Sequence, residues 1–351
     1  MDERPPPSTL LAIAARIEAR VDALLATEEQ RWADVDPHLA DPIACLRGLL
    51  RSGGKRLRPA FCHWAYVGAG GDDLDLVTDV GAALELLHAF ALVHDDVMDG
   101  SDRRRGVATA HRAFHDRHRD EGWRGESRRF GEGVAILIGD LAFVYADMLL
   151  APLTPDARQV WDELRVELNI GQYLDMLGTA RGDTDVAAAR RIATYKSGKY
   201  TVERPLHLGA AMAGRLDELA PPLTAYGIPL GEAFQLRDDL LGAFGDSETM
   251  GKPVGDDLLE GKPTPLLAIA RERATGAGAT VLARVGDPAL GADGVAAVQE
   301  VLVATGAAAE VERRIAELTD EAIQAAKELA VTEEAQVALV DLAAYVAWRD
   351  H

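Results

Sequence analysis

Apolar residues recur every three or four positions along almost the whole chain, and this period constrains the fold more than any other feature. From Ser8, which can cap a helix, Leu11, Ile13, Ala14, Ile17, Val21, Leu24 and Leu25 follow that spacing. The pattern returns over 42–52, 57–69, 78–99, 132–151, 156–178, 185–213, 222–244, 262–273, 292–303, 306–329 and 332–349. No stretch reads convincingly as a strand. Ala and Leu dominate, while Gly or Pro separates the periodic segments, as at Ser52-Gly53-Gly54, Gly68 to Gly71 and Pro221-Pro222. The expectation is an all-α bundle of long helices. Residues 1–8 form a Pro-rich lead, and 112–131, RAFHDRHRDEGWRGESRRFG, is charged and aperiodic, which predicts a long surface loop.

With 48% hydrophobic residues in 351, the chain can bury a sizeable core, and no Pro/Ser/Gly-rich linker divides its middle. A single all-α domain over 1–351 is expected. Fifty-seven acidic against 37 basic residues give a net charge of −20, which opposes nucleic acid or an anionic membrane as a partner. Cys45 and Cys62 match no metal spacing and no disulfide framework, so they read as structural thiols. The N-terminal stretch lacks a signal peptide's layout, and a cytoplasmic protein without stable membrane insertion is expected.

Against this background the charged clusters stand out. His94-Asp95-Asp96-Val97-Met98-Asp99 closes the apolar run ALELLHAFALV, and a spacing of four puts Asp95 and Asp99 on one helix face. Carboxylates so close repel unless a cation sits between them, and hard oxygen ligands without His or Cys suit Mg²⁺. A second pair, Asp238-Asp239, lies in the apolar segment FQLRDDLL. Two helices of a bundle can aim such groups into one cavity. Position 242, four after Asp238, is Gly, so the second cluster is incomplete.

The cations are grouped as well. Arg51, Lys55, Arg56 and Arg58 fall within eight residues around Gly53-Gly54, and Arg103-Arg104-Arg105 follows the first acidic cluster. Guanidinium forks fit phosphate oxygens, Lys adds a point charge, and the glycines let backbone approach an anion ahead of a helix N-terminus. Lys196, Lys252 and Lys262 form a scattered third set, whereas Lys199, Arg190 and Arg191 read as solvated. Together the clusters imply two diphosphates, one held through metal and one held directly by Arg and Lys.

GGKRLRP (53–59), HDDVMD (94–99) with RRG (104–106), GQYLD (171–175), KSGKYT (196–201) and FQLRDDLLGAFGD (234–246) with GK (251–252) make the chain resemble the trans-isoprenyl diphosphate synthases over roughly residues 40–265. The resemblance implies an isoprenoid synthase-type helical bundle around a deep central cavity, usually a homodimer. It implies Mg²⁺, three ions with Mn²⁺ a substitute, on Asp95, Asp99 and Asp238, with Asp96 and Asp239 in support. By the same likeness, Arg104, Lys196 and Lys252 hold the allylic diphosphate, Lys55, Arg58, His88 and Arg105 hold isopentenyl diphosphate, and Lys262 belongs to the substrate-binding set. Ser197, Tyr200 and Gln235 fall where the family lines the reacting centre, with Gln172 and Asp175 behind them.

In the family, product length follows the residues upstream of the first acidic motif. Phe90, five before Asp95, with the small Ala91 at four before, resembles the producers of geranylgeranyl diphosphate (C20). Farnesyl diphosphate (C15) or a longer chain is the alternative. Gly242 departs from the family's third Asp, with Asp246 a partial substitute at a poor angle, and Ser197 replaces the usual Thr. A class I terpene cyclase would not need Lys55, Arg58, His88 and Arg105, and a non-catalytic synthase subunit would lose the metal ligands that Asp95, Asp99 and Asp238 retain.

Overall fold

Each periodic stretch carries a helix in the computed structural model, which describes residues 5–182, 185–245, 255–287 and 289–347. In chain order the helices are α1 (Ser8–Ala33), α2 (Asp41–Arg51), α3 (Leu57–Gly68), α4 (Leu74–Asp99), α5 (Ala110–Asp120), α6 (Ser127–Leu149), α7 (Pro155–Arg181) and α8 (Val186–Ala193). There follow α9 (Arg204–Met212), α10 (Leu216–Phe244), α11 (Asp256–Glu260), α12 (Pro265–Arg273), α13 (Ala277–Leu282), α14 (Gly291–Ala304), α15 (Ala307–Glu328) and α16 (Glu333–Ala347). The chain divides into two compact units, one of Ser8–His63 with Asp72–Leu153, the other of Met1–Pro7, Trp64–Gly71 and Thr154–His351.

In the first unit, α4 is the core helix. Asp73 caps its start by accepting from the Leu76 N–H at 2.9 Å, and Gly100 ends it in a left-handed conformation. Its middle, Val80 to Leu87, is buried without a break, and α1 and α6 pack against it. By length and hydropathy α4 is also apolar enough to cross a membrane, but 61% of its apolar window is buried inside the fold. Cys62 is fully buried, and burial pushes the Cys45 thiol up to about 11, as structural thiols require.

Three local expectations are corrected here. The stretch 112–131 is mostly helix, since α5 runs to Asp120 and α6 begins at Ser127. Its apolar stripe is only Phe114 and His118, one turn apart, too narrow to show as a period, yet both are buried. His118 packs with Trp123 and Phe130 at ring separations of 5.2–5.9 Å, which seals the short 121–126 connection. A hairpin the sequence reading lacked joins β1 (Arg103–Arg104) to β2 (Val107–Ala108). Arg105 and Gly106 turn it with φ of 49° and 76°, the pair of positive values a two-residue hairpin needs. Pro221 and Pro222 lie inside α10, not before it, because the segment's buried face, from Leu219 to Ala243, outweighs the lost N–H bonds.

In the second unit, α10 is the axis, packed by α9, α15 and α16. The period over 185–213 is not one α-helix: between α8 and α9, Thr194–Glu203 winds as a π-helix. It fits because Gly171 of α7 and Gly231 of α10 admit its backbone; a Cβ on either would lie 2.5 or 2.6 Å from backbone atoms of Lys196 or Gly198. Arg237, buried on α10, donates to both carboxylate oxygens of Glu312 on α15 at 2.7 Å and to the Ala347 carbonyl of α16 at 2.8 Å, which fixes the register next to Asp238.

Candidate active site

In the first unit, the last turn of α4 carries Asp95, Asp96 and Asp99. That end of a helix is the negative end of its dipole, so three carboxylates there are stabilised only by cations. One cation is built in. Arg104, carried by the hairpin, donates to Asp96 through Nε at 2.8 Å and Nη2 at 2.6 Å, and its Nη2 stands 3.7 Å from Asp95. Asp96 is buried with Arg104 against it, while Asp95 and Asp99 are half-buried. Despite burial, these carboxylates keep the Arg104 guanidinium above its ordinary range.

Beside them Arg56, Arg58, Arg104 and Arg105 gather around His88. Burial first, then Arg58, Arg105, Arg104 and Arg56, hold the His88 imidazole well below its ordinary range, so it is neutral at pH 7. Burial and the same guanidinium neighbours lower Arg105, Glu85 opposes them, and Arg105 donates to the Gly53 carbonyl. Two cations of the sequence cluster are already committed. Arg56 is buried against Glu85, Glu18 and the Leu50 carbonyl, and Arg51 pairs with Asp22 at 2.7 Å. Lys55 and Arg58 are half-buried where α3 begins. Guanidiniums this concentrated around a neutral imidazole make a setting that favours an anion.

Phe90 stands on α4 just before the acidic turn, its ring edge-on to His94 at 4.7 Å and 4.9 Å from Phe143 of α6. Ala91 is half-buried beside it.

The second unit brings Asp238, Asp239, Asp175, Lys196 and Gln235 into one neighbourhood. Gln235 donates to Asp239 Oδ1 at 2.7 Å, whereas Asp239 Oδ2 is buried and accepts no hydrogen bond. Burial, followed by Asp257, Asp238 and Asp175, pushes the Asp239 carboxyl well above the ordinary range. Lys196, on the π-helical turn, donates to Asp175 Oδ2 at 2.5 Å, and Lys262 meets Glu260 at 2.6 Å and Asp257 at 3.7 Å. Tyr200 is buried and Ser197 half-buried on the same turn, and Gln172 lies on α7. Lys252 and Asp246 lie outside the described residues. The sequence reading passed over Asp257, within the GKPVGDDLLEGKPT stretch where only the lysines drew notice, and over the π-helical turn, which leaves no mark in a three-and-four period.

The residues fit a divalent cation. A buried carboxylate oxygen without a donor, in a neighbourhood of further carboxylates, is a site that a positive charge would complete. Among the described residues no three carboxylate, imidazole or thiol groups converge closely enough to cage an ion alone. Mg²⁺ accepts such sites, because it keeps waters and takes phosphate oxygens beside one or two carboxylates.

The chain as a whole is similar to known proteins. The polyprenyl synthetase family model matches residues 43–301. A crystal structure of geranylgeranyl pyrophosphate synthase from Corynebacterium glutamicum, complexed with isoprenyl diphosphate and magnesium, superposes with a TM-score of 0.92 at 38% identity, covering 97% of this chain and 99% of that one. The octaprenyl diphosphate synthase of Escherichia coli is 32% identical over 305 residues, 86% of this chain and 88% of that protein. The geranylgeranyl diphosphate synthase of Mycobacterium tuberculosis is 37% identical over 232 residues, 64% of this chain, and there the match spans less than two thirds of the relative, 61%.

Proposed function

The chain belongs to the polyprenyl synthetase family, and from that premise we propose that it joins isopentenyl diphosphate head to tail (1'-4) with an allylic diphosphate, releasing diphosphate and a trans-prenyl diphosphate of C20 length. One observation supports this most. Within a single compact unit, a cluster of carboxylates at a helix C-terminus lies beside a cluster of guanidiniums, and Arg104 interacts with both sets. A terpene cyclase needs only the first. The family match crosses both units, which supports reading the chain as one prenyltransferase domain.

In this reading Asp95, Asp99 and Asp238 hold Mg²⁺, three ions with Mn²⁺ an effective substitute. Bound there, the metal would stabilise charge developing on the allylic diphosphate as its C–O bond breaks. Arg104, kept rigid by Asp96, and Lys196, oriented by Asp175, hold the same diphosphate together with Lys252. Lys55, Arg58 and Arg105 clamp the second diphosphate, with His88 a neutral hydrogen-bond donor and Lys262 in the substrate-binding set. That clamp aims the isopentenyl double bond at the allylic carbon, so orientation does the work a nucleophilic side chain would do elsewhere. Gln235 acts through Asp239, and Ser197 and Tyr200 line the reacting centre. The proton lost from isopentenyl C2 passes to an oxygen of the released diphosphate.

Incubation with isopentenyl diphosphate, each allylic primer and Mg²⁺, followed by chromatography of the dephosphorylated products, tests the reading. A dominant trans C20 alcohol is expected. Hydrocarbons formed without isopentenyl diphosphate would instead identify a cyclase.

Phe90 is the floor of the product site in this account. Phe90→Ala, which opens the space between His94 and Phe143, is expected to move the main product to C25 or beyond in the same chromatography. An unchanged product would remove Phe90 from that role.

Two exposed apolar stripes support a homodimer. On α6, Leu137, Val144 and Met148 are 60%, 53% and 50% exposed, and on α7, Val166, Ile170 and Tyr173 are 62%, 51% and 61% exposed, at helical spacing. Stripes of this kind mark association surfaces. Val144→Glu with Ile170→Glu is expected to halve the mass in light scattering; an unchanged mass would exclude these faces from the interface.

A further inference from the structure

Gly242 occupies the position where the second acidic motif lacks its last carboxylate, and the structure shows what fills the space. A Cβ on Gly242 would lie 2.2 Å from Oδ2 of Asp257 and 3.1 Å from its Cγ. The Asp257 carboxylate therefore rests against α10 where a side chain at 242 would go. Positions 238 and 242 are one turn apart, so that spot adjoins Asp238 on the same helix face. Asp239 Oδ2, on a residue only 4% exposed, is buried without a hydrogen-bond donor in the neighbourhood that Asp238, Asp257 and Asp175 share.

Lys262 offsets the Asp257 charge through the other oxygen. It stands 3.7 Å from that atom, Oδ1, and makes its closer contact with Glu260 at 2.6 Å. Oδ2 of the partly exposed Asp257 carboxylate faces other carboxylates, and a cation there would relieve their repulsion.

We propose that Asp257 is the third carboxylate of the second acidic motif, delivered from the chain beyond α10, and that Gly242 is the space it requires. The proposal rests on the reading in which Asp238 binds Mg²⁺ together with diphosphate. It carries a counter-intuitive consequence: restoring an Asp at 242 harms the site, because the new side chain and Asp257 compete for one volume.

The test is calorimetric titration of Mg²⁺ into the full-length chain in the presence of inorganic diphosphate, with circular dichroism to confirm folding. Asp257→Asn, which keeps shape and removes charge, is expected to weaken Mg²⁺ binding about 10- to 100-fold. Gly242→Asp alone is expected to weaken it too, and Gly242→Asp with Asp257→Gly to recover most of the loss. Binding of wild-type strength in Asp257→Asn, or tighter binding in Gly242→Asp, would overturn the proposal and leave the proposed function standing. A wild-type chain that binds no Mg²⁺ with diphosphate would overturn both. Because Asp257→Asn is isosteric and its side chain is partly exposed, it decides the matter even if Gly242→Asp does not fold.

Discussion

Asp95→Ala is expected to lower kcat for prenyl transfer by about 10³-fold, close to 4 kcal/mol of transition-state stabilisation, and Asp238→Ala by a similar factor. The argument starts from the last turn of α4, where Asp95, Asp96 and Asp99 crowd the negative end of the helix dipole. Arg104 gives its short bonds to Asp96, so removing Asp95 leaves that ion pair intact. It also removes like-charge repulsion. The melting temperature should therefore hold or rise slightly while turnover collapses, a combination that separates loss of a metal ligand from loss of fold. In Asp238→Ala, Arg237 keeps its contacts with Glu312 and the Ala347 carbonyl, so α10 keeps its place. Single-turnover kinetics with thermal melts of the same samples check both variants. A tenfold or smaller drop in kcat would contradict the metal assignment.

Arg56→Met is expected to act on stability. Arg56 and Glu85 are both buried, and their ion pair is joined by the Glu18 carboxylate and the Leu50 carbonyl. Removing one partner strands a buried charge, which costs about 3–5 kcal/mol, whereas replacing both with apolar groups costs far less. Arg56→Met should thus lower the urea midpoint sharply, and Arg56→Met with Glu85→Leu should regain much of it. Arg56 also adopts a φ of 51°, a left-handed conformation that its side-chain contacts hold in place. If the single variant is as stable as the wild type, the buried pair is not the anchor of this loop.

That contrast shows what a sequence does and does not reveal about such a site. The acidic end of α4 is legible because HDDVMD, which alone reads equally well as a solvated helix end, is matched by a second Asp pair at 238–239. The Gly53-Gly54 loop is legible because cations flank it. Which cations serve a ligand is not legible, since Arg56 and Arg58 differ only in what folds against them, and Glu85 lies 29 positions from Arg56. Local geometry escapes for a related reason. The π-helical turn over Thr194–Glu203 depends on close approach at Gly171 and Gly231, and α5 depends on rings contributed by Trp123 and Phe130. The pairing of Gly242 with Asp257 depends on a contact across 15 positions, so the second motif looks deficient when read along the chain alone.

Phosphorus NMR of one reaction mixture tests the central claim most directly: Asp95, Asp99 and Asp238 would hold metal that stabilises the diphosphate leaving an allylic substrate, while a separate cationic clamp would present isopentenyl diphosphate. With both substrates and Mg²⁺ present, inorganic diphosphate should accumulate one for one with isopentenyl diphosphate consumed, and stop when EDTA is added. Release of diphosphate from the allylic substrate at the same rate with no isopentenyl diphosphate present would contradict it.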